Sequence, residues 1–328
     1  MFGADSVAVM AIVAHSLAAG PASINAFVAP AFLRALACSD AVPAQNEVYG
    51  LCATSGGGAF VSDYRGSRVL RYDLNGNVLA QWGTHGSGPG EFAAPHGIAV
   101  NASGEMFVAD TDNHRIQVFS TSGAFLRQFG SFGFVPGAYR SPTYLCLTPE
   151  GTLLVSDAQN HRVQEVQLDG TPIRAWGSAG TLPGQFAGPR GIAMAPSGEI
   201  YVCDEANRRV QVFSRTGTFV RSWSVQRYGL YILPTPRGIA IDELGVVQVV
   251  DRSNHCIAAY SLDGSFLGAW GNGGTLPGSL EGPNEISADR QGAYYVGQSS
   301  CEVEVFARDG ATSGRRTSWG AAKTGWGR

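Results

Sequence analysis

The chain has 328 residues, of which 44 are glycine, 15% are charged and 44% are hydrophobic, and its formal net charge is −3. This apolar content is enough to build a core and excludes a disordered or polyelectrolyte protein, and the glycines follow no Gly-X-Y rule. The small negative charge argues against a dominant nucleic-acid or anionic-membrane surface. So much glycine in a foldable chain indicates many tight turns and therefore many short strands.

The basic residues and the cysteines each exclude a class of chemistry. Of the 23 basic residues 22 are arginine, and the single lysine, Lys323, leaves no upstream lysine for a Schiff base. None of the six cysteines forms a Cys-x-x-Cys pair, which argues against a thiolate metal site and favours buried thiols in a reducing compartment. The sequence also has no uninterrupted apolar run of about 18 residues that would predict a membrane span.

The first 47 residues differ from the rest, because they are rich in alanine and valine and poor in turn residues. Residues 6–17 are apolar enough for a helix. Three interpretations of this leader stay open: a signal peptide, an F-box-like helical segment, and a ring-closing strand at 31–34, which copies residues 124–127. Asp5 and the lack of a basic region count against a signal peptide. The C-terminal tail is the other candidate source of an outer strand.

From residue 48 onwards, the sequence repeats with a period of 47 residues. A proline opens each short apolar run, at Pro95, Pro142, Pro189, Pro236 and Pro283. An acidic residue has the same spacing, at Asp63, Asp110, Asp157, Asp204 and Asp251, with Gln298 in the sixth place. A large aromatic residue also recurs, at Trp82, Phe129, Trp176, Trp223 and Trp270. These registers define six units, 48–94, 95–141, 142–188, 189–235, 236–282 and 283–328.

Each unit contains four short apolar segments separated by turns. In the second unit these segments are residues 97–100, 105–109, 115–119 and 125–129. Four strands in about 45 residues are typical of a propeller blade, which buries its faces against its neighbours. The sequence therefore predicts an all-β fold: a six-bladed β-propeller of four-stranded blades over residues 48–328, preceded by an Ala-rich leader over 1–47.

The residues that carry the repeat resemble a known family. The runs Gly88-Pro89-Gly90-Glu91-Phe92, Pro95-His96-Gly97-Ile98-Ala99-Val100 and Val108 to Phe119 are similar to an NHL repeat, and the fourth unit matches nearly as well. The resemblance covers about residues 48–310, departs from the pattern at Gln298, and implies a six-bladed propeller. It also implies a recognition module for proteins or RNA, often beside ubiquitin-ligase zinc domains. This chain has no zinc domain, so a ligase role would be that of a recognition subunit.

The repeated acidic residues are interpreted as structural. Asp ends the second strand, Asn accepts a left-handed turn, and Arg reaches back to the carboxylate as a charge-assisted pair. This interpretation covers Asp63, Asp110, Asp157, Asp204 and Asp251. A calcium loop would need further closely spaced oxygen ligands, which these turns lack.

We expect function where the blades differ at equivalent positions. The residue after the repeat proline opens the innermost strand near the channel mouth, and these residues are Tyr49, His96, Thr143, Arg190, Arg237 and Asn284. Turns between second and third strands lie on the same face and contribute Arg65, His114, His161, Arg208, Arg252 and His255. This Arg/His-rich face predicts binding of a protein or peptide, with RNA as the alternative ligand. The non-functional interpretation is an ordinary solvated loop surface.

An enzymatic function is the third interpretation, as a metal-dependent lyase or hydrolase. Amidating lyases resemble NHL propellers and hold a metal with channel histidines from several blades, whereas His96 is the only histidine at the six channel-mouth positions. Because a catalytic zinc needs three suitable ligands, we expect no metal, no cofactor and no catalytic residue. The sequence thus predicts a non-enzymatic scaffold, monomeric, cytoplasmic and not membrane-bound. Secretion is the alternative location if the leader is a signal peptide.

Overall fold

The computed structural model describes residues 29–37, 47–54, 56–226, 233–274, 276–299 and 302–308. Within these ranges the chain forms six four-stranded antiparallel blades, which confirms the predicted all-β, six-bladed propeller. Helix in the described ranges is limited to two short 3-10 turns, Thr111–Asn113 and Ala158–Asn160. None of these segments is a helix long and apolar enough to cross a membrane. The helical and signal-peptide interpretations, and the C-terminal tail, lie outside the described residues. Most of the F-box-like helical segment does as well, but its last part, residues 32–36, forms part of the strand Ala31–Ala37 and is not helical.

The strands follow one another from the channel outwards in each blade. The first strand within the described ranges is β1 (Ala31–Ala37), which belongs to the last blade. Blade 1 contains β2 (Val48–Ala53), β3 (Ala59–Asp63), β4 (Arg68–Tyr72) and β5 (Val78–Trp82). Blade 2 contains β6 (Pro95–Val100), β7 (Glu105–Asp110), β8 (Arg115–Ser120) and β9 (Phe125–Phe129). Blade 3 contains β10 (Pro142–Leu147), β11 (Thr152–Asp157), β12 (Arg162–Gln167) and β13 (Pro172–Trp176).

The remaining blades repeat this order. Blade 4 contains β14 (Pro189–Met194), β15 (Ile200–Asp204), β16 (Arg209–Phe213) and β17 (Phe219–Ser224). Blade 5 contains β18 (Pro236–Ile241), β19 (Val247–Asp251), β20 (Cys256–Tyr260) and β21 (Phe266–Trp270). Blade 6 contains β22 (Pro283–Ala288), β23 (Ala293–Gln298) and β24 (Glu302–Ala307), with β1 as its outermost strand.

Ring closure is supplied by the segment that precedes the first repeat unit. Strand β1 pairs antiparallel with β24, with Phe32 opposite Phe306 and Leu36 opposite Val303. The Leu36 side chain is 1% exposed and joins a cluster that includes Val48 of blade 1. The outermost strand of blade 6 thus comes from a segment that precedes blade 1. Its apolar side chains pack in two clusters, Leu36 with blade 1 and Phe32 with blades 5 and 6.

The core lies between neighbouring blades. The three inner strands of a blade are largely buried because both of their faces are covered. An outer strand such as β9 has both half-buried and exposed residues. The aromatic residue that ends an outer strand packs on the turn glycine of the next blade: a Cβ on Gly123, whose φ is +93°, would lie 2.9 Å from the Trp82 ring. The glycines that mark the period are therefore packing positions between blades.

Candidate active site at the channel mouth

Two rings of residues, one residue per blade in each, line the mouth of the central channel. The inner ring consists of the residues after the repeat proline: Tyr49, His96, Thr143, Arg190, Arg237 and Asn284. The second ring consists of the residues after the repeat acidic position: Tyr64, Thr111, Ala158, Glu205, Arg252 and Ser299. The two rings lie at one edge because a first strand starts where a second strand ends, as Pro95 and Asp110 do when they pair.

Two arginines from neighbouring blades hold a single carboxylate at the mouth. Arg190 Nε donates to Glu205 Oε2 at 2.9 Å, and Arg237 Nε donates to Glu205 Oε1 at 3.0 Å. Arg237 Nη1 also donates to Asn284 Oδ1 at 3.0 Å. Burial opposes ionisation of Glu205, but the two guanidinium groups outweigh it and hold the carboxyl pKa below its usual value. Glu205 is thus a carboxylate that orients both arginines.

Aromatic rings connect this ion cluster to His96. The His96 imidazole stacks on Tyr49, with ring centroids 4.7 Å apart, and also lies 5.4 Å from the Tyr64 ring. The guanidinium carbon of Arg237 is 5.3 Å from the Tyr49 centroid, within the range of a cation–π contact. Arg252 Nη1 lies 3.4 Å from Tyr49 Oη. Tyr49 therefore contacts the imidazole and both cationic neighbours.

His96 is a neutral imidazole at the base of the mouth. It is 5% exposed, and its buried Nδ1 has no hydrogen-bond partner among the residues that the structure describes. Burial lowers the His96 pKa well below 6.5, and the positive charges of Arg190 and Arg237 lower it further. At neutral pH the ring thus carries one N–H and one free lone pair.

The mouth has an excess of positive charge. The twelve residues of the two rings include three arginines, Arg190, Arg237 and Arg252, and one carboxylate, Glu205. Because His96 is neutral, three positive charges against one negative charge leave a surplus of two. A concave surface with a surplus of one sign attracts ligands of the other sign. The mouth is therefore suited to an anionic or strongly polarised group.

The second set of residues predicted from the sequence is mostly placed elsewhere. His114, His161 and His255 adopt left-handed backbone conformations. Each Nδ1 accepts a backbone N–H of the connector that leads to the next blade, from Ser141, Gly188 and Gly282 respectively. Arg65 pairs with Glu47, Arg208 is exposed, and Arg252 alone of this set joins the two rings. Three of the six residues are thus links between blades.

Sequence reasoning missed Tyr64 and Glu205, although a signal was present. The position after each repeat acidic residue varies from blade to blade, like the position after the repeat proline. The same rule that selected Arg190 and Arg237 would have selected Glu205 and paired it with them. The prediction selected the turns between the second and third strands instead. Histidine recurs in these turns with the 47-residue period, which indicates a structural role.

The repeat carboxylates lie inside the blades and do not reach the mouth. Asp110 is fully buried: it accepts the Ala93 N–H at one oxygen and side-chain donors of Asn113, Arg115 and Gln117 at the other. Equivalent networks surround Asp157 and Asp204. Asp63 keeps the arginine, Arg68, whereas Asp251 bonds Asn254 and has Cys256 at the arginine position.

The mouth does not fit a metal ion. No group of three His, Cys, Asp or Glu side chains able to hold one occurs within the described ranges. In the two rings, His96 and Glu205 are the two residues of these types, and both oxygens of Glu205 already accept arginine donors. A divalent cation bound there would have to displace two guanidinium groups from Glu205, so the residues of the mouth do not form a metal site.

The fold and the two rings define a β-propeller whose central channel has a cationic mouth. Two of its segments, residues 92–119 and 186–213, match the model of the NHL repeat family. The chain thus contains two matches to the NHL repeat within a six-bladed propeller, which confirms the resemblance predicted from the sequence. No curated protein matches the sequence of this chain.

Several solved enzymes share the fold. A streptogramin B lyase superposes with a TM-score of 0.63 at 13% identity, over 86% of this chain and 99% of that chain. Virginiamycin B lyase from Staphylococcus aureus gives a TM-score of 0.59 at 12% identity, over 84% and 98%. A gluconolactonase from Xanthomonas campestris gives 0.59 at 15%, over 86% and 98%. Likeness at this level of identity is a likeness of fold.

These structures correct the predicted function. The expectation of a non-enzymatic recognition scaffold, linked to ubiquitin ligation, is wrong, because lyases and gluconolactonases are among the structures that superpose on the chain, beside a nidogen–laminin complex. The mistake came from requiring several channel histidines as the mark of an enzyme. Acid–base and electrostatic catalysis can also be supplied by arginine, glutamate and a single neutral histidine, without such a set.

Proposed function

We propose that this propeller is a lyase or hydrolase whose active site is the channel mouth and whose substrate carries a carboxylate or a lactone. The observation that carries the proposal is His96, a neutral imidazole beside the guanidinium groups of Arg190 and Arg237. The likeness in fold to lyases and gluconolactonases supports it. One of these structures is a catalytically inactive histidine-to-alanine variant of virginiamycin B lyase with quinupristin.

The substrate is held through its oxygen atoms. Guanidinium groups bind carboxylate oxygens with two parallel N–H donors and polarise a lactone carbonyl in the same way. Glu205 takes the Nε–H of both Arg190 and Arg237, which orients the guanidinium planes before the substrate arrives. This preorganisation favours electrostatic stabilisation because the donors need not be rearranged during the reaction.

His96 takes up the proton. In a lyase it removes the proton from the carbon next to the carbonyl, and in a hydrolase it removes one from the attacking water. Both reactions place negative charge on an oxygen, an enolate in the first and a tetrahedral oxyanion in the second, which Arg190 and Arg237 stabilise. An anion between the arginines also offsets their effect on the imidazole, so His96 becomes more basic when the substrate is bound.

The proposal is tested by measuring turnover of three classes of candidate substrate. Macrocyclic lactones, sugar lactones and β-substituted carboxylates are incubated with the purified chain, and products are measured by mass spectrometry. We expect conversion within one of these classes and a loss of about 100-fold or more in kcat/KM for the Arg190→Met/Arg237→Met double variant. Arg208→Met, an exposed arginine of blade 4, is the matched control. No conversion of any class, or equal rates in the double variant and the wild type, would overturn the proposal.

A further inference from the structure

A cavity lies in the channel below the mouth. Its volume is ≈ 280 Å³, close to the lower limit of about 300 Å³ for small-molecule pockets. Its wall is an aliphatic collar with one residue from each blade: Leu51, Ile98, Leu145, Ile192, Ile239 and Ile286. The lining continues to the ends of the first strands, where Val100, Leu147, Ile241 and Ala288 are half-buried. The cavity therefore extends towards the face opposite the mouth.

The upper end of this cavity is closed by two residues that break the repeat. Four blades have glycine at the third position of the first strand, where the neighbouring strand comes very close: a Cβ on Gly191 would lie 2.2 Å from the Arg237 carbonyl oxygen. Blades 3 and 6, which face each other across the ring, carry Tyr144 and Glu285 instead. Tyr144 Oη donates to the Asn284 carbonyl oxygen at 3.0 Å, so its phenol crosses the channel below the mouth.

Glu285 is a buried carboxyl group with no counter-charge. It is 7% exposed, and its Oε1 accepts the Ile286 N–H at 3.0 Å. Within the described ranges no arginine or histidine forms an ion pair with it. The titratable groups that face it are Tyr144, Cys52 and Cys203, and all three are neutral because burial raises their pKa values. Burial likewise raises the pKa of Glu285 well above its usual range.

We propose that this cavity is a second ligand site, separate from the channel mouth, which binds a small apolar primary amine. The ammonium group pairs with the Glu285 carboxylate, and the hydrocarbon part contacts the aliphatic collar. Charge complementarity selects this class, because an isolated carboxyl in an apolar cavity gains most from a ligand that brings a positive charge. An anionic ligand would meet the carboxyl and the apolar wall without any cationic partner.

Binding of the amine is coupled to loss of a proton. Burial favours the protonated form of Glu285 in the empty site, whereas an ammonium ion favours the ionised carboxylate. At a pH below the raised pKa of Glu285, one proton therefore passes from Glu285 to the solvent for each ligand bound. Below the pKa of Glu285 the affinity therefore increases with pH, by up to about tenfold per pH unit. This dependence distinguishes ion pairing from simple filling of an apolar cavity.

The experiment is a calorimetric titration of the full chain with cyclohexylammonium, at several pH values and in two buffers of different ionisation enthalpy. We expect binding with release of one proton and an affinity that increases with pH. Glu285→Gln keeps the size of the side chain and is expected to weaken binding at least tenfold. Cyclohexanol, which has the same ring without the charge, is expected to bind at least tenfold more weakly than cyclohexylammonium.

A second measurement needs no variant and covers the case in which Glu285→Gln does not fold. In wild-type chain labelled with ¹³C at glutamate carboxyl groups, one resonance titrates at unusually high pH, and cyclohexylammonium moves its midpoint down. Equal binding of cyclohexanol, unchanged binding by a folded Glu285→Gln variant, or no response of that resonance to the amine would overturn the proposal. None of these readouts depends on turnover at the mouth.

Discussion

The His96 imidazole stacks on the Tyr49 ring, with centroids 4.7 Å apart and planes 25° from parallel. The two residues belong to neighbouring blades, and Tyr49 is also in contact with the Arg237 guanidinium, whose carbon is 5.3 Å from its centroid. The proposed base and the proposed anion-binding group are thus connected through one aromatic ring. Their electrostatic coupling is measurable without knowledge of the substrate.

Replacement of Arg237 by methionine raises the pKa of His96. Burial and the charges of Arg190 and Arg237 lower this pKa, so removal of one charge moves it up towards 6.5 while burial still holds it below that value. The imidazole titration is followed by ¹H–¹⁵N NMR in the Arg237→Met variant and in the wild type. Arg208→Met is the control and leaves the pKa unchanged. A His96 pKa that is unchanged or lower in Arg237→Met would contradict the assigned electrostatics.

Replacement of Glu165 by glutamine destabilises the fold at neutral pH. Burial disfavours the Glu165 carboxylate, but hydrogen bonds from Arg215, Arg174 and Thr152 outweigh it and lower the pKa to about 2. A carboxyl whose folded-state pKa is lowered stabilises the fold above its unfolded-state pKa and loses this contribution as the pH falls towards 2. We expect Glu165→Gln to lower the free energy of unfolding by about 3 kcal/mol at pH 7. The difference in free energy of unfolding between the wild type and Glu165→Gln, measured by urea unfolding, is expected to be less than half as large at pH 3 as at pH 7.

The control for this prediction is Glu150→Gln. Glu150 pairs with the same arginine, Arg215, at 3.1 Å, but its side chain is 57% exposed whereas that of Glu165 is 1% exposed. Exposed ion pairs contribute about 0–1 kcal/mol. A loss of stability in Glu150→Gln as large as in Glu165→Gln, or a Glu165→Gln effect that does not depend on pH, would refute the prediction.

Alanine substitutions at two glycines with positive φ distinguish the cost of backbone strain from the cost of disturbed packing between blades. Gly170 has φ of +93° and a Cβ there would lie 2.4 Å from Phe129 of the preceding blade, whereas Gly151, at φ +79°, has open space around that position. Alanine at Gly151 is expected to cost about 1–2 kcal/mol from the left-handed backbone alone. Gly170→Ala adds displacement of Phe129, about 1–3 kcal/mol more. Equal losses of stability in thermal unfolding would exclude the packing contribution.

The fold could be predicted from the sequence because the residue that opens the first strand of a blade recurs with the same spacing, at Pro95, Pro142 and Pro189. The inner ring followed from this register, since the first strands must start around the channel. The turn histidines were misplaced for the opposite reason. His114 and His161 recur one period apart, and recurrence indicates a role in each blade, here a hydrogen bond to the connector that leads to the next blade.

Contacts across the ring could not be predicted. The bond from Tyr144 to the Asn284 carbonyl joins residues 140 positions apart, and the period does not specify which blades face each other through a side chain. Glu285 was visible as a departure from the repeated glycine, but its isolation from any positive charge is a property of the folded channel. The pKa of His96 likewise depends on arginines from two other blades.

The most direct test of catalysis at the channel mouth compares two histidine variants on one substrate. His96→Asn removes the proposed base, and His85→Asn replaces an exposed histidine of the connector between blades 1 and 2. With a lactone or β-substituted carboxylate that the wild type converts, we predict that kcat/KM falls about 100-fold or more in His96→Asn and stays within about twofold in His85→Asn. Turnover in a folded His96→Asn variant equal to that of the wild type would contradict the account.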